Sequence, residues 1–216
     1  MSFQRGASLQ AFACIFALSA PAHAADQDTQ FWLGVSARVP ISHHVGVTLE
    51  ASPRIRSAAA QSDQLLFRST LDTKVKSWLN VGLGAAFVAS DGPNEFRLFQ
   101  QVTLTNGPLA LRSQLEERWF DGAPRVQLRA RARAQLTLTV DSRDRALASA
   151  ERFYVLQAAQ PADRPKTEQW RFKLEWRHKL SPRLEFGLGY LLAIAPREGA
   201  SSSVSHVPQL NLAFAF

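Results

Sequence analysis

From Phe31 to the C-terminus, apolar residues recur at every second position of the chain. Val126, Leu128, Ala130, Ala132, Ala134, Leu136, Leu138 and Val140 share one parity, and Gln127, Arg129, Arg131, Arg133, Gln135, Thr137 and Thr139 hold the other. Trp170, Phe172, Leu174, Trp176, His178 and Leu180 alternate in the same way with Arg171, Lys173, Glu175, Arg177 and Lys179. A helix would turn residues two apart by about 200° and scatter the arginines around its circumference. A strand puts them on one face and the alanines on the other. The pattern therefore predicts strands, at 31–39, 44–56, 65–76, 78–89, 95–105, 109–119, 125–140, 147–157, 168–180, 183–195 and 205–216. The alternation is weakest over 147–157, where Glu151 and Arg152 interrupt it, and the polar stretch Asp26–Gln30 reads as a short linker.

Alternation alone fits both a soluble β-sandwich or lipocalin-like barrel and a transmembrane barrel, which differ in which face meets water. Three features favour the membrane. Most segments reach the ~9–11 residues that a tilted strand needs to cross a bilayer, against the ~5–6 usual in soluble sheets. Short turns at Asn106-Gly107-Pro108 and Ser181-Pro182 interleave with longer polar connections at 57–64, 158–167 and 196–204, as in barrels with short periplasmic turns and longer external loops. The chain ends on alternating Leu210, Leu212, Phe214 and Phe216, which resembles the terminal aromatic signal read by the barrel-assembly machinery. Trp32, Trp78, Trp119, Trp170 and Tyr190 lie where interfacial aromatic girdles are expected. The expected fold is all-β, a transmembrane antiparallel up-and-down β-barrel of about 10–12 strands. Because single-chain bacterial barrels carry even strand numbers, ten or twelve is expected rather than eleven.

Residues 1–24 read as a cleaved secretory signal: Arg5 supplies the positive end, Ala11–Ala20 the apolar run, and Ala22-His23-Ala24 the small-x-small cleavage site. Residues 25–216 form the barrel domain. This part contains no cysteine, since Cys14 lies in the leader, so it has neither disulfide nor thiol chemistry despite export. Its 24 basic residues against 18 acidic ones leave +6, and 19 of the 24 are arginine. Export, with arginine confined to one face of membrane-length strands, speaks against nucleic-acid binding.

With the apolar face outward, the lumen receives Arg68, Lys74, Arg97, Arg112, Arg118, Arg129, Arg131, Arg133, Arg171, Lys173 and Arg177, with Glu50, Asp72, Glu95, Glu116, Glu175 and Glu185. The core of the expected charge network is Arg68, Glu95, Arg97, Arg112, Glu116, Arg118, Arg129, Arg131, Arg133, Arg171, Glu175 and Arg177. Guanidinium and carboxylate groups on neighbouring strands pair and fill a narrow barrel. The alternative is a narrow anion-selective path along Arg129, Arg131 and Arg133. Wide aqueous channels belong to ~16–18 strands, which speaks against a general porin. A lipid-modifying barrel enzyme ranks third. His178 and the pair Ser205-His206, read as opening the last strand, lack a Gly-x-Ser-x-Gly element or a third member, so no catalytic residue is assigned. His43 and His44 are adjacent and would point to opposite faces, and no metal or cofactor site is expected. External Arg56, Arg164, Lys166 and Arg197 are candidates for lipopolysaccharide phosphates, and outer-membrane lipids are the expected surroundings.

Several landmarks recur in order along nearly the whole exported chain: Trp32, Leu65-Leu66-Phe67-Arg68, Val81-Gly82-Leu83-Gly84 and Glu95-Phe96-Arg97-Leu98-Phe99-Gln100-Gln101. Arg112-Ser113-Gln114-Leu115-Glu116-Glu117-Arg118-Trp119, Leu128-Arg129-Ala130-Arg131, Glu151-Arg152-Phe153 and Phe186-Gly187-Leu188-Gly189-Tyr190 follow. In these the chain resembles domain-of-unknown-function family 2490, small outer-membrane barrels of Gram-negative bacteria. The resemblance implies an outer-membrane barrel, and it carries over no activity and no catalytic residue. The function expected is that of a structural or interaction protein with an Arg/Glu-filled lumen.

Overall fold

The computed structural model describes residues 26–57 and 62–216. The signal segment expected at residues 1–24 lies outside the described residues. Eleven strands follow one another: Asp26–Pro40 (β1), Val45–Arg56 (β2), Gln64–Lys76 (β3), Leu79–Ser90 (β4), Glu95–Asn106 (β5), Leu109–Phe120 (β6), Gln127–Thr139 (β7), Asp144–Gln157 (β8), Lys166–Ser181 (β9), Leu184–Arg197 (β10) and Ala200–Ala215 (β11). Each is antiparallel to its neighbours in sequence, and β1 meets β11 to close the barrel.

The count corrects the expectation of ten or twelve. Eleven strands close because β1 and β11 run parallel, in register from Asp26↔Ser203 to Arg38↔Ala215. The evenness rule assumes an antiparallel closing pair. A parallel one satisfies the edge N–H and C=O groups as well, which is what the bilayer demands. The doubtful stretch around 147–157 is a full strand paired on both sides. Asp26–Gln30 is not a linker but the start of β1. Asp28 and Gln30 alternate inward ahead of Trp32, with Gln30 Nε2 donating to Asp28 Oδ2 (2.7 Å) and Trp32 Nε1 to Gln30 Oε1 (3.0 Å). The loop expected at 196–204 shrinks to the turn Glu198-Gly199, and Gly199 takes the positive φ of 70° that this turn requires. Ser205 and His206 consequently sit well inside β11 rather than at its start.

One end of the barrel carries the turns 41–44, 77–78, 107–108, 140–143 and 182–183, with the C-terminus beside them, where the Phe216 amide donates to the Arg38 carbonyl (3.0 Å). The other end carries Ser57, Ser62, Asp63, 91–94, 121–126, 158–165 and 198–199, together with Asp26. At the short-turn end, the Arg143 and Asp144 amides donate to Asp141 Oδ1 (2.7 and 2.8 Å), which holds that carboxyl below the usual aspartate range.

The polarity is inside out for a soluble protein. Leu174 is 61 % exposed and Leu83 58 %, whereas Glu116 is 1 % exposed and Gln114 4 %. An outer surface of leucine, phenylalanine, valine and tryptophan would be unstable in water over the whole circumference. It is the surface a lipid-embedded barrel presents.

Candidate functional site

The inner face holds two internal cavities, of about 480 and 290 Å³, whose shared lining includes Gly34, Glu50, Arg68, Arg131, Arg133 and Lys173. All twelve residues of the expected network line one cavity or both. Nine charged side chains form one unbroken chain of ion pairs. Glu95 binds Arg97 (2.5 Å) and Arg118, Arg118 reaches Glu168 (3.0 Å), and Glu168 reaches Arg129 (2.5 Å). Glu116 then takes Arg129 on one oxygen (2.7 Å) and Arg131 on the other (2.7 Å), and Glu151 takes Arg131 (2.8 Å) and Arg112 (2.9 Å). A second group nearer the short turns joins Arg145 to Glu185, Glu185 to Arg177 (3.4 Å), and Glu175 to Arg177 (3.0 Å) and Lys173 (3.1 Å).

Register explains who pairs with whom. Glu116 is directly opposite Arg129, and Arg131, one inward step further along β7, reaches the same carboxylate diagonally. Glu151 lies opposite Arg133 yet is engaged by Arg131 and Arg112. Arg133 is therefore left without a carboxylate, as are Arg54, Arg68 and Arg171; among the described residues none of the four has one within 4.0 Å. Rings take part of their place. Arg129, Arg131 and Arg171 lie over Phe153 at 5.1, 4.5 and 4.4 Å, Arg68 over Phe99 at 4.4 Å, and Arg54 over Trp32 at 4.2 Å. The Nε atoms of Arg54 and Arg68 are buried without a partner.

The facing wall is built of small residues. A Cβ on Gly34 would strike Asn211, one on Gly82 the Asp72 carboxylate, and one on Gly84 the Phe99 ring. These glycines make room for side chains that cross from neighbouring strands.

Several participants escaped the sequence reading. Glu151 faces inward between Ser149 and Phe153 on a strand whose outer face is alanine, so neither parity looked polar. Glu168 has the parity of the outward Trp170, but a bulge pairs Gln169 with Phe153 and Thr167 with Tyr154, skipping Glu168 and turning it inward. Trp32, expected in an interfacial girdle, lies in the lumen against Leu191, Ala193 and Val207. Tyr190 is exposed on the outer face but near the middle of β10, where its hydroxyl bonds His206 Nδ1. Trp78, Trp119 and Trp170 are exposed on the outside near strand ends, as are the terminal Phe214 and Phe216.

His178 lies on the outer face near the short turns, bonded to Asp144 (2.9 Å) and stacked on Trp176, and His43 and His44 occupy the turn after β1 rather than a strand. Among the described residues, no histidine ring nitrogen is bonded to a serine hydroxyl. At the long-loop end Arg197 pairs with Asp26 and Arg56 bonds Gln64.

The solved structure of the NanC porin is similar to this barrel, with a TM-score of 0.52, 9 % identity and cover of 80 % of this chain and 89 % of that one. At that identity the likeness concerns the fold. An uncharacterised protein of Methylorubrum extorquens is 25 % identical over 219 residues, covering 94 % of this chain and 95 % of its own length. The model of DUF2490, a family described as proteins of unknown function, matches residues 29–203, and the chain belongs to that family.

Proposed function

We propose that the protein is an outer-membrane barrel that acts as a structural or interaction element, with its lumen held shut by the Arg/Glu network rather than kept open for bulk flow. The observation that carries this reading is the unbroken chain of nine charged residues from Arg97 to Arg112, which spans β5 to β9. Buried and mutually satisfied charges of this kind act as a rigid filling. Among the described residues no histidine ring is hydrogen-bonded to a serine, His178 facing Asp144 and His206 facing Tyr190, so the histidines lend no support to a Ser–His hydrolytic role. Lipids and lipopolysaccharide are the surroundings of such a barrel, and the alternating C-terminal Phe214 and Phe216 are its signal to the assembly machinery.

A narrow anion-selective path is the second reading. Arg54, Arg68, Arg133 and Arg171 favour it, because they line the cavities and, among the described residues, none forms an ion pair within 4.0 Å. Planar-bilayer recordings of the refolded protein under a salt gradient separate the two. A folded barrel, checked by its heat-modifiable gel migration, stays electrically silent if the network closes the lumen. Steady anion-selective current, reduced in Arg133→Ala, would replace the closed reading with the second one.

A further inference from the structure

Arg152 breaks the pattern that governs the rest of the outer surface. Among the described residues it is the one Lys or Arg that the alternation turns toward lipid away from a strand end. Its cross-strand partners are Ala132 on β7 and Trp170 on β9, both exposed. The guanidinium is fixed rather than free to trail in solvent. Its Nη2 and Nε donate to Thr167 Oγ1 (2.8 and 3.3 Å), and it stands 5.2 Å from the Tyr154 ring centre and 5.3 Å from that of Trp170. No carboxylate is paired with it among the described residues.

An apolar groove of about 850 Å³ runs across the outer face and ends at this arginine. Its floor is low because Ser113, Ala130 and Ala132 are small, and its sides include Leu83, Val102 and Leu115. The cross-strand row through it climbs the barrel. On β4 and β6 it passes Val81 and Ser113, two and four residues from the short-turn ends of their strands. On β8 it reaches Arg152, five residues from the long-loop end. Cation and groove are thus arranged as a membrane lipid is arranged, with charge toward one water interface and the apolar channel descending into the bilayer.

We propose that this groove is a binding site for a phosphate-bearing membrane lipid, with the headgroup phosphate on Arg152 and an acyl chain over Ser113, Ala130 and Ala132. The flexible stem of arginine lets its head rise toward the interface while its planar fork takes two phosphate oxygens. Tyr154 and Trp170 frame the headgroup at the level where amphipathic rings partition. The proposal is independent of the state of the lumen.

Native mass spectrometry of the detergent-solubilised, folded protein tests it, with dioleoyl phosphatidylglycerol as the probe. The expected result is one lipid retained per barrel. Arg152→Ala should lower retention about tenfold, the loss of one charge-assisted contact. Dioleoylglycerol, which lacks the phosphate, should bind the wild type more weakly by a similar factor. Ser113→Phe fills the groove two strands away from the arginine and should also lose the lipid, which keeps the test alive if Arg152→Ala fails to fold. Equal retention by wild type and either variant would overturn the site. So would inorganic phosphate abolishing lipid retention, which would mark a free-anion site. A lipid-free dimer that Ser113→Phe dissociates would instead assign the groove to a second copy of the chain.

Discussion

Strands β5 to β9 turn arginine, glutamate and three phenylalanines into the lumen, whereas β4, β10 and β11 turn in mainly glycine, alanine, valine and leucine, with Glu185, Gln209 and Asn211 as the larger polar exceptions. The two walls are complementary in volume, since long side chains rise from one and the other recedes to receive them. They differ in what holds them. The charged wall depends on who pairs with whom, and the small wall on what does not collide. Any one residue therefore matters according to its neighbours across the sheet rather than its own type. Arg131 and Arg133 stand two positions apart on the same face of β7, yet the first holds two carboxylates and the second none.

The hardest break of the charged wall is Glu116→Ala. That carboxylate is 1 % exposed and holds Arg129 and Arg131 at once. Its removal leaves Arg129 on Glu168 alone and Arg131 on Glu151 alone, and breaking buried pairs of this kind costs about 3–5 kcal/mol. Urea unfolding in micelles, followed by tryptophan fluorescence, should show the midpoint drop sharply or the barrel fail to refold. A midpoint near wild type would mean that water, rather than Glu116, solvates these arginines.

The small wall breaks by addition. At Gly84 a new Cβ would fall on the Phe99 ring and close to the Ser69 carbonyl, and backbone cannot step aside. Gly84→Ala should therefore cost about 1–3 kcal/mol, the usual range for overpacking. Gly187→Ala meets the flexible end of Glu175 at 2.9 Å and Asn211 Cβ at 3.2 Å, with no backbone atom among its nearest neighbours, and should cost less. The same unfolding assay ranks the two, and an inverted order would show that β10 is the more tightly fitted.

The charged wall was far more legible in the sequence than the small one. Arg129, Arg131 and Arg133 alternating with alanine fix an inward face without any structure, and nine of the eleven strands begin within three residues of where the alternation sets them, β1 and β11 within five. What escaped depended on long-range register. Glu168 is turned inward by a bulge that only the pairing with β8 creates. Trp32 looked interfacial because Asp28 and Gln30 before it looked like linker, although all three share one inward face. The odd strand count followed from a closing pair between residues about 180 positions apart, which no local pattern encodes. Arg152 is the reverse case: its interruption of the alternation was visible from the start, and its meaning came only with Thr167, Trp170 and the groove beside it.

The finest test of the comparison lies within β7. Arg131→Ala removes the link between Glu116 and Glu151 and should destabilise strongly, because two buried carboxylates lose a shared partner. Arg133→Ala removes a guanidinium that makes no ion pair among the described residues and stands opposite Arg112, a like charge. Its loss relieves that repulsion and gives up some packing of the arginine stem against the wall, two small terms of opposite sign. The net change should stay within about 0.5 kcal/mol, read as an unchanged urea midpoint in the variant beside a lowered one for Arg131→Ala. A large loss at Arg133 would place an unseen anion on that guanidinium, since a bound counter-ion is what could make an otherwise unpaired arginine stabilising. Repeating the unfolding of wild type with phosphate in place of chloride would then show a midpoint that rises with phosphate and ceases to respond in Arg133→Ala.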